Sequence, residues 1–440
     1  MRHNTVMCAK FCCHNVDVVD SIYGTSEHRK VHIGGDQLTR ERFSGAKALR
    51  FGSFDERSKI SDLNPITFEL WHMAMNFLTL VFNKLFSSNS LEVGTLNGEK
   101  VRIRRNDVHQ DVKNNYDVDK DFFVSFTRDY IVDALCDFFG LDNPDKEPNK
   151  NIPPVLVTSA WLQKTMNLFI DTYVLAKNNN YTTEETVVEE TRMPVQVQIG
   201  QNVHSTLHVL NRQQRTIRVP VAVDHVQQYS KVTLLLGLLY MELLDCIHHP
   251  DRDRMITCMK YMMVMFKSHN SRSKYALQML RFLCHQQASY SLKKGHESFY
   301  GLFVNTRGKK DSHIPADLQM EHIVRKTKTI IKGLGPMNTD KNLMARSKAV
   351  TALEQISNNY DNDAGSCVQK RANFKKQRDA LSDERKIIDD LRGIRPFEVH
   401  PRRHHITHKH IQAPVDNIDN LQLQSWIDYH KSRLDVEFGK

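Results

Sequence analysis

Three places in the chain put acids or histidines where chemistry could occur. Asp36 directly follows Gly34-Gly35 at the end of a short predicted strand, where missing side chains let a ligand approach the backbone. Glu69 and His72 fall at a predicted strand-to-helix junction. Asp317 and Glu321 are four apart on a predicted helix, so both carboxylates project from the same side, one turn apart. They flank an apolar stripe of Met320, Ile323, Val324 and Ile331, while His322 points away from it. Each place has a plainer alternative. Asp317 follows Pro315 and can be only a helix cap. Glu321 can pair with Arg325 on the surface, and Asp36 can be a turn residue. A histidine on an apolar helix, such as His72, is more often a satisfied core residue than a ligand.

Together the acids allow two-metal chemistry. Carboxylates converging from separate elements hold two divalent ions, which activate the attacking oxygen and stabilise the leaving one. The order Asp36 by a first strand, Glu69 at the end of a later strand, a long helical stretch, then Glu321 on a helix is that of polynucleotidyl transferases of the RNase H-like fold. The expected catalytic residues are therefore Asp36, Glu321 and His72. The expected Mg²⁺ ligands are Asp36 and Glu321, with Asp317 or Glu69 as accessory ligand, and His72 would orient the site. Other chemistries lack their signatures. The sequence has no GxxxxGKS/T phosphate loop, no GxSxG elbow and no HExxH, and Gly34-Gly35 does not complete a dinucleotide fingerprint.

The elements that must position these residues follow from periodicity. Residues 31–39 read as a strand running into a turn, followed by a helix from Arg40 to Arg50. A second strand, Ile66–Trp71, leads into an apolar helix, His72–Phe86. Further helices are predicted over Asp119–Gly140, Pro154–Lys177, Val226–His248, Asp251–Ser268, Ser273–Ala288, Asp317–Lys332 and Lys341–Tyr360. Asn178–Arg192 reads as a polar loop, 194–223 as a small β insert, and Gln369–Leu391 as a charged, exposed helix. The expected fold class is a mostly helical α/β protein, an RNase H-like mixed-sheet core interrupted by long helical inserts. Its divisions are a disordered or truncated start (1–30), a first half of the core (31–110), a helical insert with a small β element (111–300), a second half of the core with the acidic helix (301–365), and a charged helix with a basic, His-rich tail (366–440).

Composition sets outer bounds. The 440 residues, 40% of them apolar, exceed one compact core, and 25% charged residues exclude wholesale disorder. The balance of 61 Lys+Arg against 51 Asp+Glu, a net +10, fits contact with a polyanion. The expected nucleic-acid contacts are Arg307, Lys309 and Lys310 in a basic loop, and Arg402, Arg403 and Lys409 in the stretch HPRRHHITHKH, with DNA expected before RNA. The longest apolar run, Val232–Leu244, is interrupted by Glu242 and too short to cross a bilayer, so no membrane partner is expected. The first twenty residues lack an apolar signal-peptide core. An intracellular protein with reduced thiols is expected, nuclear before cytoplasmic. Cys8, Cys12, Cys13 and His14 form a local cluster, but the second ligand pair of a zinc site is missing nearby.

Several longer stretches are more specific: GGDQLTRERFSGAK at 34–47, WHMAMNFL at 71–78, GTL at 94–96, IRRNDV at 103–108, FVNTRGKKDSHIPADLQMEH at 303–322 and KGLGPMNTDK at 332–341. In this order and spacing the chain resembles the transposon-associated family DUF6589 from residue 31 to about residue 350. The resemblance implies captured transposase material. Members commonly carry an Asp immediately before the Trp-His pair; here that place is Leu70, with Glu69 one residue earlier and, on a strand, facing the other side. On this reading the chain is a transposase-derived nucleic-acid-binding protein with a degenerate two-metal site, weakly active or inactive. The alternative is an inert helical module that binds protein or nucleic acid and has no metal site.

Overall fold

Two parallel strands need a crossover between them, and the chain supplies a helix. In the computed structural model, β1 (Val31–Gly35) and β2 (Leu63–Phe68) pair in parallel around α1 (Gln37–Arg50). The described residues are 31–35, 37–55, 58–60, 63–142, 144–175, 182–198, 204–220, 224–269, 274–333, 335–337, 339–363, 380–409, 411–416 and 418–437. Phe43 and Ala46 of α1 meet Ile60, Leu63, Ile33 and Ile66 in a small core of their own. The register sets Gly34 opposite Thr67 and Gly35 opposite Phe68, so both strands end at the same edge. One residue later α2 (Leu70–Leu85) begins.

Helices make up most of the rest. They are α3 (Leu96–Arg102), α4 (Val112–Phe139), α5 (Ser159–Tyr173), α6 (His225–His248), α7 (Arg252–His269) and α8 (Lys274–Cys284). After α8 the chain runs through a π-helical turn, His285–Ser289, into α9 (Leu292–Tyr300). Between α5 and α6, β3 (Thr182–Gln198) and β4 (His204–Pro220) form a long antiparallel hairpin. A two-residue hairpin, β5 (Phe303–Val304) and β6 (Ile314–Pro315), leads directly into α10 (Ala316–Lys332). Then come α11 (Asp340–Asp363), α12 (Ala380–Ile394) and α13 (Asn420–Glu437).

The main core lies between α2, α4, α6, α7 and α8. Phe77 stacks on Tyr240 and meets Phe266 edge-on, and Phe82 meets Phe123. The buried Tyr229 hydroxyl finds two partners: it donates to the Leu85 carbonyl at 2.8 Å and accepts the Leu96 N–H at 2.9 Å. Where α6 crosses α4, a Cβ at Gly237 would stand 2.3 Å from Thr127 Cγ2, so the crossing depends on glycine. Since α2 shares this core, the helices of 111–300 are built onto the N-terminal β–α–β unit. α10 then returns to pack on α2 and β1.

The mostly helical α/β class holds. Among the described residues the strands form three separate two-stranded sheets. A mixed RNase H-like sheet would need more strands beside β1 and β2 than these supply. Most predicted helices fall within a few residues of their observed bounds. Three expectations need correction. Most of Asn178–Arg192 is strand, because its threonines and valines favour extended backbone despite the glutamates between them. The charged helix at the C-terminal side is not simply exposed: α12 buries Ile387 and Leu391, four apart, against the main core. α3, α9 and α13 were not foreseen at all. Residues 1–30, with their Cys and His cluster, and Asp36 lie outside the described residues. No helix among the described residues is long and apolar enough to cross a membrane.

Candidate functional site

The parallel pairing brings the carboxyl ends of β1 and β2 together, the usual edge for a binding crevice in such units. A cleft of about 530 Å³ opens there. Gly34 and Gly35 line it from β1, Glu69 and His72 from the β2–α2 junction, and Asp317 and Glu321 from α10. The base of the β5–β6 hairpin closes another side through Leu302 and Ala316.

Gly34 is a requirement of this arrangement. A Cβ there would stand 1.9 Å from Glu69 Oε1, so the absent side chain gives the Glu69 carboxyl its place. His32, on β1, also lines the cleft, and its Nε2 shares a 2.5 Å hydrogen bond with Thr67 Oγ1 on β2. Burial pushes the His32 pKa below the ordinary imidazole value, so it is neutral at pH 7.

Asp317 is the best-defined group of the site. Its side chain is only 3% exposed as a residue, yet it is held by three donors. Oδ1 accepts the Trp71 N–H at 3.1 Å, and Oδ2 accepts the His72 N–H at 3.0 Å. Oδ2 also lies 3.0 Å from His72 Nδ1. These N–H groups belong to the first turn of α2 and have no partner within that helix. Glu69 stands at the N-cap position of α2 but makes no side-chain cap bond, so Asp317 caps α2 from a different helix. The reading of Asp317 as the cap of its own helix is corrected: that helix has Pro315 at its N-cap and no side-chain cap, and the helix Asp317 caps lies far away in sequence. A carboxylate can only accept, so Nδ1 of His72 carries a proton. His72 is a half-buried imidazole oriented by a carboxylate.

The four foreseen residues Glu69, His72, Asp317 and Glu321 thus line one cleft, although the two pairs are about 245 positions apart. The strand that leads to Asp36 ends in the same cleft. The described residues do not by themselves fit two Mg²⁺ ions. Asp317 is occupied by three N–H donors, and among the described residues no group of three or more His, Cys, Asp or Glu side chains is arranged to hold a metal. Leu70, at the place where family members commonly carry Asp, is fully buried in the main core, while Glu69 lines the cleft.

The expected nucleic-acid residues divide into two groups. Arg307, Lys309 and Lys310 are exposed on the loop of the β5–β6 hairpin. The loop is braced by Asn305 Nδ2 and Ser312 Oγ, both donating to the Lys309 carbonyl, at 2.8 and 2.7 Å. None of the three cations lines the cleft; the loop lies against the end of α6, where His313 Nδ1 is 3.3 Å from the His248 carbonyl and Asp311 is 3.2 Å from His249. Arg402 and Lys409 are also exposed. Arg403 is not available to a phosphate. Its guanidinium donates to both oxygens of Asp224, at 3.0 and 2.8 Å, and to the carbonyls of Ile394, Arg395 and Glu398.

The His-rich stretch is likewise docked rather than loose. Glu92 accepts the Ile406 N–H at 2.6 Å and the Thr407 hydroxyl at 2.9 Å, and lies 3.3 Å from His405 Nδ1. The His405 and His408 rings pack on Tyr229. Burial lowers both histidines, His408 to about 4, so charging of this stretch below neutral pH is opposed by its own packing. Asp224 and Glu92 escaped sequence reasoning, because partners 179 and 314 positions away leave no local pattern.

No curated protein and no solved structure matches the chain. The cleft residues from both halves, the hairpin cations and the Gly34-Gly35 strand all fall inside residues 14–372, the stretch matched by a family of unknown function. That stretch is most of the chain, and the chain belongs to the DUF6589 family.

Proposed function

We propose that the chain is a transposase-derived nucleic-acid-binding protein whose cleft is the remnant of an RNase H-like two-metal site, with weak or absent cleavage activity and a nuclear location. One observation carries the reading. Glu69, His72, Asp317 and Glu321, from two distant motifs, line a single cleft at the carboxyl ends of a parallel strand pair. The β5–β6 hairpin, whose base adjoins the cleft at Leu302 and Ala316, bears the exposed Arg307, Lys309 and Lys310, which would contact phosphates. The degenerate character rests on Asp317, whose carboxylate is held by α2 and His72.

The same bonds favour the second reading, an inert binding module in which Asp317 is purely a cap. Two assays separate the readings. Filter binding of a short DNA duplex is expected to show sequence-independent affinity that falls steeply with salt. Replacing Arg307, Lys309 and Lys310 together by Ala should reduce the salt slope by about 3, roughly one per phosphate contact. No affinity at low salt, or affinity indifferent to salt, would remove the nucleic-acid role. In a cleavage assay with Mg²⁺ or Mn²⁺ we expect at most slow turnover. Strong cleavage that Glu321→Gln abolishes would show a live site; binding and folding unchanged in the Glu69→Gln, Glu321→Gln double variant, with no cleavage in the parent, would favour the inert module.

A further inference from the structure

Between His322 and Leu353 the chain carries seven Lys or Arg and a single acid, Asp340. That stretch alone holds a net +6 of the chain's net +10. It covers most of α10 and the first half of α11, which folds back on α10. The charge is therefore gathered on two adjoining helices rather than spread over the surface. On α10 the cations keep a helical period. Arg325, Lys328 and Lys332 are spaced three and four apart, so they form one stripe, and all three are exposed. Glu321, one turn earlier on the same stripe, lines the Asp317 cleft. The neighbouring side of the helix carries Val324, Thr327 and Ile331, which are half-buried.

Lysines on other helices have an acid one turn away. Lys120 meets Asp117 at 3.2 Å on α4, Lys293 meets Glu297 at 3.9 Å on α9, and Lys386 meets Asp383 at 4.0 Å on α12. Among the described residues no carboxylate pairs with Arg325, Lys328 or Lys332, and Glu321 forms no ion pair with Arg325. Helix stability does not account for the stripe. A cation in the last turn complements the helix dipole, which explains Lys332 but not Lys328 and Arg325, one and two turns earlier. Like charges a turn apart instead repel one another, and a polyanion laid along them would relieve the repulsion. The stripe extends about 10 Å along the helix axis, and three nucleotides of a duplex rise by about the same distance. A lipid surface would draw on the apolar side of α10, which the fold keeps half-buried.

We propose that Arg325, Lys328 and Lys332 form a backbone-contacting surface that leads a nucleic-acid strand away from the Asp317 cleft. This surface presupposes the nucleic-acid reading above and adds α10 to the contacts of the β5–β6 loop. It reads no sequence, because its groups meet phosphates and not base edges.

The test follows the affinity of the full chain for a short DNA duplex across a salt series, by fluorescence anisotropy. Arg325→Gln, Lys328→Gln and Lys332→Gln together should lower the salt slope by about 3 and weaken binding at low salt about tenfold or more. Glutamine is a good helix former and the three positions are exposed, so thermal melting should be unchanged. Lys328→Glu alone should lower the slope by about 1 or more, and keeps the test decisive if the triple variant does not fold. A control triple, Lys120→Gln, Lys293→Gln and Lys386→Gln, removes the same charge from the paired lysines and should leave the slope within about 1 of the parent. No binding by the parent at low salt overturns the nucleic-acid reading and this surface with it. A parent that binds, and responds to loss of Arg307, Lys309 and Lys310 but not to the α10 triple, overturns the α10 surface alone. So does an equal fall in the control, which would reduce the effect to net charge. Phosphatidylserine-containing vesicles that bind as tightly as the duplex, and are lost with the α10 triple, would assign the stripe to a lipid surface and likewise overturn the proposal.

Discussion

The Asp317 carboxylate ends the run of unpaired N–H groups at the start of α2 and holds the Nδ1 proton of His72. Removing it strands two buried donors, each costing about 1 kcal/mol or more. Asp317→Ala should therefore lower stability by roughly 2–3 kcal/mol in denaturant titration. Asp317→Asn keeps one acceptor oxygen and should lose about half of that. Equal stability of both variants and the parent would show that α2 is capped in some other way. Gly34→Ala separates site geometry from stability. The atom it would strike is the end of a flexible glutamate, so Glu69 can swing aside, and the loss should stay below about 1 kcal/mol. The residue types were legible in the sequence, since acids and a histidine within specific motifs can be picked out by eye. Their partners were not. Nothing at position 317 announces that its carboxylate will cap a helix beginning at Leu70, because the bond depends on how α10 is laid against α2.

At the scale of elements, the seam between α4 and α12 is the least expected feature. Asp119, Asp129 and Asp133 on α4 and Glu99 on α3 are all buried. Burial first, then Glu384 and Glu99, pushes Asp129 up to about 9. Burial pushes Asp119 and Asp133 to about 7, the latter against the pull of Arg392, and also raises Glu99. Unfolded carboxylates titrate near 4, so between about pH 4 and these raised values the folded chain binds more protons than the unfolded one. Stability along the seam therefore falls as pH rises through that window. Asp129→Asn mimics the protonated acid and should stabilise the protein, with a gain that grows from about pH 4 to about pH 9 and reaches roughly 1 kcal/mol or more. Thermal melts across that range read it directly. A gain that is the same at every pH would mean that Asp129 is ionised throughout. The sequence showed α12 only as charges of both signs, because its apolar stripe is a single row, Ile387, Leu391 and the partly buried Ile394. The crossing at Gly237 was equally silent: a lone glycine in an apolar helix reads as tolerance, whereas Thr127 makes it a fit. Gly237→Ala should cost about 1–3 kcal/mol by overpacking.

For the whole molecule, periodicity reported where most helices run but not how the ends of the chain are held. The stretch from His400 to His408 is the clearest case. Read alone, four histidines and two arginines suggest a charged arm; in the fold the stretch locks the C-terminal side onto α6 and the loop before α3. Asp224 caps α6 through the N–H groups of Val226 and Gln227, accepts the His400 N–H, and pairs with Arg403. Breaking so buried a pair by removing one partner typically costs about 3–5 kcal/mol, and Asp224→Ala should release this stretch at every pH. Acid should release it more gently. His405 and His408 are held below their unfolded value near 6.5, so they are neutral in the docked state. Below pH 6.5 the undocked chain binds more protons, and docking weakens steadily as pH falls toward the folded value of about 4 for His408. Glu92 acts in the same direction. Burial raises its pKa, but the N–H of Ile406, the Thr407 hydroxyl and His405 more than offset that, so its contribution is lost as pH falls through its lowered value. The α4 carboxylates oppose this trend, so the main core should stay intact while the His-rich stretch loosens. Hydrogen exchange, corrected for its intrinsic pH dependence, should show protection near residues 400–408 dropping between about pH 7 and about pH 5 while α2 and α4 remain protected. His408→Gln, which cannot titrate, should blunt the drop. Protection of this stretch that is constant across the range, or that collapses together with α2 and α4, would show that the buried histidines do not govern how it is held.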